Sequence, residues 1–157
     1  ARMAERGCPF DTLAERVCKM AGHAEHLFTI SDIGWLVKGG RIKKLHALLG
    51  SLMDIKPLLD VEDGMIRLYG KARGSKNAVR AVIEAFKERA KDFPEQIVGI
   101  SHSNDPAGAE ALRKALEEEC GVKRFIVNQI GGVLGSHLGI GGLGLFFFNK
   151  RFSYYEL

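Results

Sequence analysis

One histidine sits inside the most unusual stretch of the chain. Residues 131–144 contain seven glycines, and His137 lies near their centre, preceded by Ser136. Glycine lets main-chain atoms approach a bound group closely and adopt positive φ. Free backbone N–H groups beside an imidazole suit an anion such as a carboxylate or a phosphate. The plainer alternative is a buried histidine bonded to a backbone carbonyl, and the surrounding glycines favour a site. Two other readings of the segment fail. Gly139-Ile140-Gly141-Gly142-Leu143-Gly144 is a literal GxGxxG, but a dinucleotide fingerprint needs a helix after it and an acidic residue about twenty positions on. Here a β-type run, Leu145 to Phe148, follows, and the chain ends too soon for that acid. Gly131, Gly135 and Gly139 also form a helix-packing pattern within the uncharged stretch 125–148. Asn128, Gln129, Ser136, His137 and the glycine density suit a membrane span poorly.

Other chemistry-bearing residues are weaker. His23 and His26, three apart with Cys18 nearby, have metal-ligand spacing but no convincing fourth ligand. Ser101, Ser103 and Ser136 lack a GxSxG context. His102 reads as part of a strand-end loop before an Asp105 cap, and Tyr154 and Tyr155 as packing or surface residues. No paired acid and base emerges, which argues against an enzyme. Lys38, Arg41, Lys43 and Lys44 cluster around Gly39-Gly40 and could meet phosphate, nucleic acid or an acidic partner face; a solvated helix face is the default. From the residues alone, three classes stay open: a binder of an anion, an enzyme acting on a small anion through His137, and a nucleic-acid-binding regulator using residues 38–44.

The elements that must position these residues are legible from periodicity. The 157 residues are 46% apolar and 27% charged, which suits one folded domain. Lys+Arg 23 against Asp+Glu 19 is too mild a balance to imply nucleic acid. Three cysteines (Cys8, Cys18, Cys120) without CxxC spacing point away from a disulfide scaffold or zinc ribbon and toward a reducing compartment. No basic–apolar–small leader pattern opens the sequence. Ala1 to Arg6 reads as a helix without an initiator Met, stopped at Gly7, as expected either of a piece of a longer protein or of a trimmed terminus.

Helices are expected over 10–21, 31–37, 42–52, 77–93 and 106–120, the last with Asp105 as N-cap, Pro106 at its first position and Gly121 as stop. Strands are expected over 27–30, 55–61, 65–69, 97–100, 125–130 and 143–148. Asp63-Gly64 joins two of them as a type I′ hairpin, and Pro57 favours an edge strand or a strand end. Strand–helix–strand over 97–130 could be a crossover unit. The expected fold is α+β: a largely antiparallel or mixed sheet of five to six strands packed with helices in two layers.

The order of separated motifs carries a resemblance. Phe28-Thr29-Ile30-Ser31-Asp32-Ile33-Gly34-Trp35-Leu36-Val37-Lys38-Gly39-Gly40-Arg41-Ile42 is followed by Leu48-Leu49-Gly50-Ser51-Leu52, Ile55-Lys56-Pro57-Leu58-Leu59, Lys71-Ala72-Arg73-Gly74 and Ile130-Gly131-Gly132-Val133-Leu134-Gly135-Ser136-His137-Leu138-Gly139. This order resembles the DegV family of bacterial fatty-acid-binding proteins, over essentially the whole chain. The resemblance implies a two-domain protein, with residues 1–30 a helical lead-in from an N-terminal α/β half outside this chain and 31–157 the C-terminal α+β domain. It implies a cytoplasmic carrier, not an enzyme, that holds a long-chain fatty acid in an apolar tunnel and presents it to a separate ATP-dependent fatty acid kinase. No cofactor, metal, nucleic acid or membrane span is expected.

The family's carboxylate-binding His falls on His137, and a supporting Arg on Arg73. Gly135, Ser136 and Gly139 are expected loop contacts. Leu48, Leu52, Phe146 and Phe148 are expected to line the acyl chain, and Lys38, Arg41, Lys43 and Lys44 to offer a partner surface. The family reads His-x-Gly-Pro-Gly, whereas this chain has Ile140 in place of the Pro, which is expected to loosen the loop. The family's carboxylate-contacting Ser and Thr belong to the N-terminal half. A chain without that half leaves open whether two copies pair through the surface it would cover. The chemistry is coherent: each buried CH₂ gains about 0.8 kcal/mol, while a carboxylate buried without partners loses heavily.

Overall fold

The structure, a computed structural model, describes residues 2–38, 40, 54–90 and 93–155. In chain order the elements are α1 (Arg2–Glu5), α2 (Phe10–Ala21), β1 (Ala24–Thr29), α3 (Gly34–Lys38), β2 (Ile55–Glu62), β3 (Met65–Arg73), α4 (Ser75–Arg89), β4 (Ile97–His102), α5 (Pro106–Cys120), β5 (Arg124–Gln129), α6 (Gly132–Leu138) and β6 (Leu143–Phe148). The expected helix over 42–52 lies outside the described residues, and with it Leu48, Leu52, Arg41, Lys43 and Lys44.

The six strands form one mixed sheet in the order β3-β2-β1-β6-β4-β5. The β4–β5 pair is parallel and every other pair is antiparallel. Asp63 and Gly64 turn the β2–β3 hairpin with φ of 51° and 74°, the two positive values a type I′ turn needs. Pro57 sits near the start of β2, before the ladder to β1 begins at Leu58, so the strand-end reading applies and the edge-strand reading does not. β4, α5 and β5 make the parallel crossover. The N–H of Gly108 donates to Asp105 Oδ1 (2.9 Å), and Gly121 ends α5 at φ 70°.

α4 and α5 cover one face of the sheet. Val82, Ile83 and Phe86 of α4 and Leu112 and Leu116 of α5 pack on Leu27, Val98, Ile100, Leu145 and Phe147. This helix-on-sheet pair is the two-layer core. α4 ends at Arg89, four residues before the expected Phe93. β1 is bonded on both sides, to β2 and β6, so residues 24–29 supply a central strand of the same sheet as the rest of the chain. The opposite face carries a smaller cluster: Phe28, Ile30, Leu59, Leu36 of α3 and Leu138 of α6.

The glycine-rich stretch is not a continuous loop. Gly132–Leu138 forms α6, two turns despite the poor helix propensity of glycine, because Leu138 is buried against that second cluster. Helix α2 buries none of its residues; Phe10 is 80% and Val17 51% exposed. Among the described residues, no helix is long and apolar enough to cross a membrane.

Candidate functional site

One end of the sheet gathers the polar candidates. β1, β3, β4 and β5 end there, and β2 and β6 begin there. The loops that follow are tied to one another. Ser103 N–H donates to Gly142 O (2.8 Å), Gly141 N–H to Ser103 O (2.7 Å), Ser31 Oγ to Gly141 O (3.2 Å) and Lys56 Nζ to Ser31 O (3.1 Å). His102 caps its own turn, its Nδ1 accepting from the Asp105 N–H at 3.2 Å.

Beneath this end lies an apolar cavity of about 130 Å³ between the sheet and the two short helices. Phe28, Phe146, Val61 and Ile66 form its sheet wall; Leu36, Leu134, Leu138 and His137 close it from α3 and α6. Thr29 and Leu143 stand at its strand-end rim. His26 and Phe146 lie three residues further along their strands, about 10 Å deeper by strand rise.

His137 is half-buried in the last turn of α6 and makes no hydrogen bond among the described residues. It is neither locked against its own main chain nor remote from a cleft. Gly139 serves packing: at φ 69°, a Cβ there would stand 2.4 Å from Trp35 Cδ1, so its glycine lets the indole seat α3 against α6. Gly135 accepts the Gly139 N–H within α6, and Ser136 Oγ donates to Val133 O (2.7 Å) and faces solvent. Arg73 ends the edge strand β3, two strands from β1, exposed and off the cavity wall. Phe146 lines the cavity. Phe148 does not: it sits at the other end of β6, edge-on to Phe152 (6.0 Å) and Tyr155 (5.8 Å). Its N–H and C=O are both taken by the buried amide of Gln96. Lys38 lies in α3.

Three wall residues were not among those expected to line the site. Thr29 is buried, and its hydroxyl has no partner. Ser101 and His26 line the cavity with their polar atoms unbonded among the described residues. His26 and His23 part ways: His23 Nδ1 meets Asn149 Oδ1 at 3.0 Å, while the His26 ring stacks on Phe146 at 4.2 Å. Among the described residues, no three His, Cys, Asp or Glu side chains gather as a metal ligand set. The period-2 alternation of His26 with Phe28 was the signal for His26, hidden by its spacing to His23.

Burial pushes His26 down to a pKa of about 4, so it is neutral at pH 7. A folded pKa below the unfolded value of 6.5 means that the unfolded chain binds more protons between those limits. His26 therefore adds stability above pH 6.5 that is lost as pH falls through 4, on the order of 3 kcal/mol. Denaturant titrations from pH 7 to 4 are expected to show a shallower loss of stability in His26→Phe than in the natural protein; equal slopes would contradict this placement.

The open mixed sheet thus carries helices on both faces, with an apolar pocket under its polar strand-end rim. The model of the DegV family, described as a family of uncharacterised proteins, matches residues 1–150, and the chain belongs to that family. A fatty acid-binding protein of Thermotoga maritima is 34% identical over 122 residues, covering 75% of this chain and 41% of its own. The structure of a DegV family protein from Thermus thermophilus, described for its fatty acid binding, superposes with a TM-score of 0.83 at 28% identity, covering 92% of this chain and 52% of that one. The Streptococcus pneumoniae fatty acid kinase B3 protein loaded with linoleic acid shares the fold, with a TM-score of 0.84 at 21% identity over 95% of this chain and 53% of that one. The chain spans about half the length of the curated relatives it matches.

Proposed function

We propose that the full-length protein containing this chain binds a long-chain fatty acid and presents its carboxylate to a separate ATP-dependent fatty acid kinase, which phosphorylates it to acyl phosphate. The observation that carries the reading is the cavity itself: an apolar space at the sheet end with His137 half-buried in its wall and unbonded among the described residues. In this reading His137 donates to the carboxylate at the rim. The acyl chain runs over Phe28 and Phe146. A volume of about 130 Å³ seats part of a long chain, and the remainder falls to Leu48 and Leu52 of the segment outside the described residues or to the other half of the protein. Arg73 supplies positive charge at the same sheet end. Lys38, Arg41, Lys43 and Lys44 are the basic surface offered to the kinase.

The chain's role is to hold and present, as a binding subunit and not an enzyme. Residues 1–30 join this domain to an N-terminal α/β half, and the location is cytoplasmic, in keeping with unpaired Cys8, Cys18 and Cys120. Exposed Phe10, Val17, Ile126, Val133 and Ile140 support a covering half. The isolated chain is accordingly expected to elute as a dimer on size exclusion with light scattering, and a monodisperse monomer would contradict that.

The test of the main reading is native mass spectrometry of the full-length protein with solvent extraction. A bound long-chain acid is expected. Added acid at about a hundred times Kd should stabilise by about 2.7 kcal/mol. Protein that purifies without lipid and gains no stability from long-chain acids refutes the reading.

A further inference from the structure

In the cavity wall the side-chain position of Gly144 is already taken up by Ser101 Oγ, Phe146 Cε2 and His26 Nε2, so only glycine lets these atoms draw together here. A Cβ built on it would stand 2.7 Å from Ser101 Oγ and 3.7 Å from His26 Nε2. Ser101 lies directly across from Gly144 on β4, and His26 reaches over from β1 on the other side of β6. Neither side chain has a hydrogen-bond partner among the described residues, although both line an otherwise apolar space. The imidazole is held in place: it stacks on Phe146 at 4.2 Å and leans on Phe28 at 5.1 Å.

We propose that Ser101 Oγ and His26 Nε2 form a polar subsite that binds an uncharged oxygen, a hydroxyl or carbonyl carried by the acyl chain of the ligand. The inference rests on the fatty-acid reading above and names the substrate class: oxygenated long-chain acids are preferred over plain ones. Each of the two side chains can donate one hydrogen bond and accept another, which matches a hydroxyl group. Burial keeps the imidazole neutral, so the pair offers no fixed charge to a carboxylate. A plain alkyl chain laid over the same wall would desolvate both groups without replacing their water. A site built to bond a hydroxyl discriminates strongly against the analogue that lacks it, because its own polar groups are then left unpaired. Glycine at 144 lets Ser101 Oγ lie against β6 with its hydroxyl at the cavity wall, a place that a side chain at 144 would force it to leave.

The experiment compares binding of palmitate, 3-hydroxypalmitate and 10-hydroxystearate to the lipid-stripped full-length protein, to Ser101→Ala and His26→Phe, and to Gly144→Ala, whose Cβ would displace the Ser101 hydroxyl without removing either polar group. Thermal melts establish that each variant is folded. The natural protein is expected to bind at least one hydroxy acid about tenfold more tightly than palmitate. That ratio is expected to fall to near one in every folded variant, with palmitate affinity kept or improved. If palmitate binds but the ratio is near one in the natural protein, or survives in the variants, the subsite is refuted while the fatty-acid reading stands. Equal losses for plain and hydroxy acids would place the pair at the carboxylate and overturn the subsite. If none of the three acids binds the natural protein, both readings fall together.

Discussion

Replacing His137 with Ala in the full-length protein is expected to weaken long-chain fatty acid binding by about ten- to a hundredfold. Hydrogen bonds to a charged group are worth about 1.5–3 kcal/mol, and each 1.4 kcal/mol is tenfold in affinity. The imidazole lies in the cavity wall, half-buried and with no bond of its own to break among the described residues. Its removal therefore costs the fold little and the head group much. The control is the matching fatty alcohol, which has the same chain and no carboxylate. Its affinity is expected to change by less than about threefold, because a neutral hydroxyl forms the weaker bond. Isothermal titration of both ligands reads the difference. Equal losses for acid and alcohol would mean that His137 supports the wall and not the carboxylate.

The second large effect is structural. Gly139→Ala is expected to destabilise the domain by about 2–4 kcal/mol, from a positive-φ backbone occupied by a β-carbon and from overpacking against a rigid ring. The obstacle is Trp35: its Cδ1, Nε1 and Cγ would lie 2.4–2.7 Å from the new Cβ. Gly141 also has a positive φ, 85°, but its nearest obstacle is the Ser31 hydroxyl, which can rotate away. Gly139→Ala is therefore expected to cost more than Gly141→Ala, and to pull α3 away from α6, the two helices that close the cavity. Adding Trp35→Ala should recover the steric part and leave the backbone part, a coupling that a double-mutant cycle in urea measures. A Gly139→Ala variant within 0.5 kcal/mol of the natural protein on the order of experimental error would refute this packing.

These two positions show how far the sequence could be read. The run of glycines drew attention to a segment in which His137 lines a cavity. The purposes of the glycines were not legible. Gly139 accommodates an indole from a helix about a hundred residues earlier, and Gly144 lets Ser101 Oγ approach the backbone of β6 beside His26. Both are contacts between distant segments, and periodicity carries only local information. The same limit explains the sheet. Each strand announced itself by composition, and Asp63-Gly64 fixed the hairpin, but nothing local says that β6, late in the chain, inserts between β1 and β4. Phe146 and Phe148 share one face by alternation. Only the sheet order and the C-terminal tail decide that Phe146 meets the cavity while Phe148 meets Phe152 and Tyr155. Helix α4 was legible because Val82, Ile83 and Phe86 satisfy a period that needs no partner to be seen.

The most direct measurement is a crystal structure of the full-length protein with a bound long-chain acid. A carboxylate oxygen is expected within about 2.7–3.2 Å of a His137 ring nitrogen, with alkyl carbons against Phe28 and Phe146. An acid bound elsewhere, with its carboxylate remote from His137 and the space over Phe146 empty, would contradict it.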